Sequence, residues 1–365
     1  MNKLRLLVGT IIVAIGVALT YHYFEAVVAD SITYIWDTLL NTANRRLLVI
    51  PAAVLLGLIF FAVQHWLDAK SEKGVSEGLG NTPKPTAANF AKVLFIGYLS
   101  LVAGASLGPE AILVPASLVL GAYVASKLFR GDAKMATLLG GAGFAALFTA
   151  FFGSFFVGFL SVFLIAKTTK RKVSLEQLAV AAVSAAVAIV SLHLLEAKVY
   201  IAIPEAHWQM NRVTLLMLPI LCVVGFGLVF LIAGMQRLMS GPHKLIAKQS
   251  WWLRGLVASV GLAGLYLLGG SLVEFTGNKS IVPMFEQAAD LGLIGLLVVM
   301  LVKLLAISWS KVMGYRGGLI FPTIFVAAVV VAIGQIYSHD LNILYGITAV
   351  MVGVIAANNK TAVLF

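Results

Sequence analysis

The chain has 365 residues, of which 61% are hydrophobic and only 11% are charged, whereas a soluble domain carries about 25% charged residues. This composition excludes a soluble globular protein and indicates an integral membrane protein. The net charge of +11 lies in short segments between apolar runs, so it indicates membrane topology, and no nucleic-acid partner is predicted.

Apolar runs follow one another along the chain, and a bilayer crossing takes about 20 such residues. The first run follows Lys3 and Arg5 and is longer than a signal-peptide core, so a retained first helix is predicted. The pattern predicts an all-α, multi-pass protein embedded in the lipid bilayer. The candidate spans are 4–28, 46–66, 91–107, 110–128, 135–166, 174–201, 213–239, 251–273, 289–310, 319–338 and 341–365.

Basic residues gather in three clusters, and such clusters mark the cytoplasmic side of a membrane protein. All three can lie in the cytoplasm if the N-terminus does, so a cytoplasmic N-terminus is predicted. The segment 127–134 also contains an acid, and its side stays open. The clusters are Lys3 with Arg5; Lys167, Lys170, Arg171 and Lys172; and Arg237, Lys244, Lys248 and Arg254.

Two segments, 92–122 and 303–328, have the same unusual pattern. Each begins with a lysine, breaks its apolar run with Gly-x-x-x-Gly, adds a proline and resumes as an apolar run. A broken membrane helix is tolerated only where the break lines a cavity or holds an ion. Two such breaks at corresponding positions indicate a transport site. The pattern suggests two transmembrane halves, 1–211 with an N-terminal helix and first repeat, and 212–365 with the second.

Glu110 is the most informative single residue, because it follows the first break within an apolar region. A carboxylate in such surroundings is costly unless it is functional or protonated. Helix N-termini attract anions, and helices are predicted to start near Ala111 and Leu319. Glu110 can therefore occupy an anion position as a gate, or it can act only as the first-turn acid of its own helix.

The two breaks resemble motifs of the CLC family of chloride channels and proton/chloride antiporters. Residues 108–112, GPEAI, are similar to the family's Gly-Arg-Glu-Gly-Pro, although the arginine, the second glycine and the proline are missing. Residues 318–322, GLIFP, are closer to the family's Gly-Ile-Phe-Ala-Pro. The resemblance extends from about residue 46 to residue 365.

This resemblance implies a CLC-like inverted-repeat bundle with broken helices, a homodimer with one pore per subunit, and transport of a small inorganic anion, chloride first. It implies that Glu110 is the gate. Lys73 would stand where the family has a serine that faces the anion; the alternative is a solvated loop lysine. The implied anion-binding residues are Gly108, Ala111, Leu319, Ile320 and Lys73, and the residues that shape the breaks are Gly104, Gly314, Gly318 and Pro322.

Antiporters of the family carry an inner proton glutamate, whose position falls near Leu160. The run 135–166 contains no Asp or Glu, so we expect little or no linked proton transfer, with antiport as the alternative and Glu176 as a replacement acid. The family also has a tyrosine-bearing helix near its C-terminus. This chain ends at Phe365 within what resembles an earlier helix, so a fragment is expected.

Two other classes of function stay open. Residues 104–108, GASLG, match the Gly-x-Ser-x-Gly of hydrolases, but that motif needs a strand-to-helix turn, and Ser106 would need a partner such as His193. A non-transporting assembly partner is the other reading. No Cys/His cluster has metal-ligand spacing, and Cys222 is expected to be a packing residue. Neither an enzyme nor a cofactor is predicted.

Overall fold

A computed structural model describes residues 2–40, 45–68, 86–130, 132–168, 172–204, 209–247 and 249–361. In these residues α-helices dominate, and the only β-type pairing is one isolated bridge. A π-helical stretch, Thr33–Leu39, continues α1, and a 3-10 turn, Asn278–Ser280, precedes α10. The helices are α1 Asn2–Ile32, α2 Arg45–Asp68, α3 Ala87–Val102, α4 Glu110–Leu128, α5 Ala133–Phe152, α6 Phe155–Thr168, α7 Leu175–Leu194, α8 Arg212–Ala247, α9 Trp251–Gly269, α10 Ile281–Glu286, α11 Ala288–Met313, α12 Ile320–Tyr337 and α13 Ile343–Thr361.

Nine helical spans within the described residues are long and apolar enough to cross a membrane. They involve α1, α2, α4, α5, α7, α8, α9, α11 and α12, while α3, α6 and α13 are shorter apolar helices. The multi-pass architecture expected from composition is therefore present.

The candidate span 135–166, which is longer than one crossing needs, consists of two helices. α5 ends at Phe152, Gly153 adopts φ +59°, and α6 begins at Phe155. A glycine in the left-handed region is a common end of a helix, because it has no Cβ to clash. The run contains several other glycines, so its sequence alone does not place the break.

The described residues divide into two compact units. The first unit comprises Met1–Ile35, Leu67–Tyr98 and Ala111–Ile201. In it, α5 packs against α1, α6 and α7. α4 and α5 approach closely at Gly143 of α5, where an added Cβ would collide with the Ser117 carbonyl of α4. Small residues typically allow such close approach between membrane helices.

The second unit comprises Trp36–Trp66, Leu99–Glu110 and Ala202–Phe365, and it contains both breaks. α8 packs along α13, and α11 packs against α8, α9 and α12. The proposed halves 1–211 and 212–365 remain a prediction about the repeat, since the compact units alternate along the chain.

Candidate functional site

The first break runs from the end of α3 at Val102 to the start of α4 at Glu110, with Gly104 at φ +102°. Carbonyl groups freed by the break need other donors, because nothing else satisfies them in a membrane interior. Three side chains supply these donors: Trp36 Nε1 donates to Val102 O at 3.0 Å, the Tyr266 hydroxyl to Gly104 O at 2.5 Å, and the Thr276 hydroxyl to Leu107 O at 2.7 Å.

The second break lies between α11 and α12. Gly314 ends α11 at φ +93°, and Leu319 precedes the first residue of α12, Ile320. The Arg316 amide donates to the Ser100 hydroxyl at 2.8 Å, which fixes the middle of this break.

The two breaks are joined to each other. The Gly108 amide donates to Gly318 O at 2.8 Å, and the Gly318 amide donates to Gly108 O at 2.7 Å. The predicted glycines thus form a short antiparallel bridge, which holds the first residue of α4 beside the first turn of α12.

Glu110 reaches across this bridge. Its side chain is only 5% exposed, and Oε1 accepts the Ile320 amide at 2.6 Å and the Phe321 amide at 3.4 Å. Oε2 is buried and has no hydrogen-bond partner among the described residues. The carboxylate therefore occupies the N-terminus of α12, where the free amides and the helix dipole attract negative charge.

The glycines make room for this carboxylate. A Cβ on Gly318 would collide with the carboxyl group of Glu110, and so would a Cβ on Gly108. Pro322 follows the two amides and has no amide hydrogen of its own, which costs α12 nothing in its first turn.

The other predicted site residues have different positions. Ala111 follows Glu110 as the second residue of α4. The Leu319 amide does not donate to the Glu110 carboxylate. The Leu319 carbonyl accepts from the Thr323 amide at 3.2 Å. Lys73 lies outside the described residues. Sequence reasoning missed the Phe321 amide, which counting the free amides of a first helical turn would have found.

Sequence reasoning also missed the role of Lys303, which had been noted only as the lysine that begins the second segment. Its side chain is fully buried in α11, and Nζ donates to Val273 O at 3.0 Å and to Phe275 O. The Ser106 hydroxyl donates to the same Phe275 carbonyl at 3.0 Å. Lys303 thereby ties the segment 273–276 to α11, while the hydroxyls of Ser106 and Thr276 tie the same segment to the first break.

Ser106 belongs to this structural network. Its amide donates to the Ser310 hydroxyl at 3.1 Å, and its own hydroxyl proton goes to a backbone carbonyl. A serine nucleophile would instead donate to a general base. His193 lies in the first unit, near the end of α7.

The residues considered for proton transfer lie in the first unit. Leu160 is 54% exposed on α6. Glu176 forms an ion pair with Lys134 at 2.6 Å, and both side chains are mostly exposed. Among the described residues, no group of three or more His, Cys, Asp or Glu side chains could hold a metal ion.

Comparison with known proteins gives a family and a fold. A family model described as voltage gated chloride channel matches residues 56–364, whereas no curated protein matches the sequence significantly. A slow cyanobacterial Cl⁻/H⁺ antiporter is similar in structure, with a TM-score of 0.75 and 16% identity over 97% of this chain and 85% of that one.

Two further solved structures are similar. One is a CLC-type fluoride/proton antiporter, with a TM-score of 0.68 and 17% identity over 96% of this chain and 85% of that one. The other is a eukaryotic CLC transporter, with a TM-score of 0.70 and 13% identity over 98% of this chain and 72% of that one. The predicted all-α, CLC-like fold is confirmed, and because the family model spans most of the sequence, this chain belongs to the CLC family of anion transporters and channels.

Proposed function

We propose that the protein moves small inorganic anions, chloride first, across the membrane past the N-terminus of α12, and that Glu110 gates this path. The observation that carries the proposal is the hydrogen bond from the Ile320 amide to Glu110 Oε1 at 2.6 Å. The amides of a helix start are donors for an anion, and here a carboxylate that belongs to the protein already takes them.

The gate follows from competition for those amides. While the charged carboxylate lies on the Ile320 and Phe321 amides, an anion cannot bind to them. Protonation removes the charge that holds the side chain there, and rotation of the side chain then exposes both amides. Fluoride or another halide would use the same donors, since the site contributes backbone amides and not a pocket shaped for one ion.

We expect anion movement with little or no linked proton transfer. The position of the family's inner glutamate falls near Leu160, which carries no proton, and Thr149, Ser154 and Ser161 are the only hydroxyl side chains between residues 148 and 163. Buried water needs about two to four polar partners, and these hydroxyls offer few, since Thr149 and Ser161 donate to carbonyls of their own helices.

Reconstitution of the purified full chain in liposomes tests both points. Chloride release under valinomycin, with external pH followed in parallel, should report chloride flux and almost no proton movement. Uphill proton pumping by a chloride gradient at a fixed ratio would instead establish antiport, and Glu176→Gln would then test the replacement acid. Absence of any flux would support the assembly-partner reading, and labelling of Ser106 by a fluorophosphonate would support the protease reading.

We also propose a homodimer with one pore per subunit and a cytoplasmic N-terminus.

This orientation predicts that the second and third basic clusters both face the cytoplasm. Single cysteines at Thr169, which lies outside the described residues, and at the exposed Gly241 of α8, on a Cys222→Ser background, should resist an impermeant thiol reagent in intact cells and react after permeabilisation. Efficient labelling of either site in intact cells would reverse the orientation.

A further inference from the structure

Two arginines of the second unit lie beside each other on the surface of α2. Arg316 belongs to the second break, four residues before Ile320, and Arg254 belongs to the first turn of α9. With the Gln64 amide oriented so that its oxygen faces Arg316, this oxygen accepts from Arg316 Nε at 2.8 Å and from Nη2 at 3.2 Å. The Arg254 guanidinium lies over the Phe61 ring, 5.5 Å from its centre.

Phe61 and Gln64 are one helical turn apart, and residues at this spacing are neighbours on a helix surface. Tyr315, which precedes Arg316, also packs against the Phe61 ring, with ring centres 5.3 Å apart. The two guanidinium groups are thus held on adjacent turns of α2, and their charges are close enough to repel each other.

Arg254 does not use all of its hydrogen-bond donors in this arrangement. Arg254 Nε is buried and has no hydrogen-bond partner among the described residues. A guanidinium carries five N–H donors, and the Phe61 ring offers Arg254 only its face. Both arginines are partly exposed, so a small solute can reach them from solvent.

We propose that Arg254 and Arg316, with Gln64 beside them, form a second anion-binding site, in which a small monovalent inorganic anion is held on its way to or from the α12 amides. The inference rests on the proposed function for the statement that the bound anion is also the transported one, but the binding itself does not depend on transport. The anion offsets the repulsion between the two arginines and accepts from the unpaired Nε. The guanidinium fork matches planar oxyanions and its positive charge attracts halides, so both nitrate and chloride should bind here.

The site also gives Arg254 a role beyond topology. The sequence places Arg254 in a basic cluster that marks the cytoplasmic side, whereas the structure places its guanidinium over Phe61 and close to the second break. Positive charge beside a narrow path raises the local concentration of anions, so the pair supplies the α12 amides with substrate.

Binding to the full chain in detergent is the first test. Chloride and nitrate are titrated calorimetrically into the wild type, Arg254→Gln, Arg316→Gln and the double variant, with gluconate as the inert anion. The titration is carried out at alkaline pH, where the charged Glu110 carboxylate covers the α12 amides, so the measured binding reports the arginine site. Each single substitution should weaken binding about tenfold, which is the size of one lost charged hydrogen bond. The control Arg237→Gln removes one exposed charge from α8 and should leave binding unchanged.

Flux separates this site from the gate. In liposomes, the Arg254 and Arg316 variants should raise the chloride concentration for half-maximal flux and leave the maximal rate nearly intact. Arg254→Lys and Arg316→Lys keep the positive charge and lose the guanidinium fork, so they should weaken the binding of nitrate more than that of chloride. If a glutamine variant does not fold, the corresponding lysine variant replaces it in these tests. Wild-type binding that depends on the arginines, without any flux, would refute the transport proposal and leave the site standing.

Three results would overturn the site. They are a wild type that binds neither anion, a folded double variant with wild-type affinity, and a loss of affinity in Arg237→Gln equal to that in Arg316→Gln.

Discussion

Replacement of Glu110 by glutamine should raise anion flux at neutral pH and make it nearly independent of pH. The glutamine oxygen can still accept from the Ile320 amide, but it carries no charge. Hydrogen bonds to charged groups contribute roughly 1.5–3 kcal/mol and neutral ones about 0.5–1.5 kcal/mol, so loss of the charge should free the amides about tenfold more often. In the wild type, flux should rise toward the level of the variant as the pH falls, because protonation of Glu110 has the same effect as the substitution.

Chloride efflux from liposomes across a range of pH values measures this difference. Glu286→Gln makes the same chemical change at an exposed residue of α10 in the same unit, and it should keep the wild-type pH profile. An unchanged profile in Glu110→Gln would mean that the carboxylate on α12 is a first-turn acid only and not the gate.

Replacement of Lys303 by methionine should destabilise the second unit and abolish selective flux. The substitution leaves Val273 O without the Lys303 donor and leaves Phe275 O with Ser106 as its remaining side-chain donor. It also removes the positive charge that acts on Glu274, which is only 8% exposed. A buried acceptor that loses its donor costs about 1–3 kcal/mol, so the thermal midpoint of the detergent-solubilised protein should fall clearly.

Two matched variants test whether the loss of stability comes from the buried Lys303 side chain. Lys279→Met changes an exposed lysine close to the same loop and should shift stability by no more than about 0.5 kcal/mol. The double variant Lys303→Met with Glu274→Gln should recover part of the loss, because the carboxylate no longer needs a countercharge. A Lys303→Met protein as stable as the wild type would show that the network around Phe275 contributes little.

The sequence predicted the parts of the site that depend on local chemistry. Glycines within apolar runs indicated two breaks, and a carboxylate next to one of them indicated Glu110. Ile320 and Leu319 were implied by the resemblance to the CLC motif, which agrees with the free amides of a helix start. That the two breaks pair through Gly108 and Gly318 could not be read from the sequence, because it depends on the fold of the whole unit.

The contacts that were missed depend on residues distant in sequence. Lys303 bonds to carbonyl groups about thirty positions earlier, and nothing in an apolar run identifies such partners. Arg254 was counted only as one positive charge of a cluster that marks the cytoplasmic side, because the sequence cannot indicate that Phe61 lies beneath the guanidinium. Gly153 ends α5, although other glycines of the same run, such as Gly141, lie inside the helix.

The bridge between Gly108 and Gly318 has a consequence for the speed of opening. Two backbone hydrogen bonds fasten Gly108 of the first break to Gly318 of the second break, so separation of the two breaks would have to break both bonds together. Rotation of the Glu110 side chain breaks neither. Side-chain rotation takes place in picoseconds to nanoseconds when it is unhindered, whereas helix movements need about microseconds to milliseconds. We therefore expect the anion path to open by a local rotation of the Glu110 side chain within a stationary backbone.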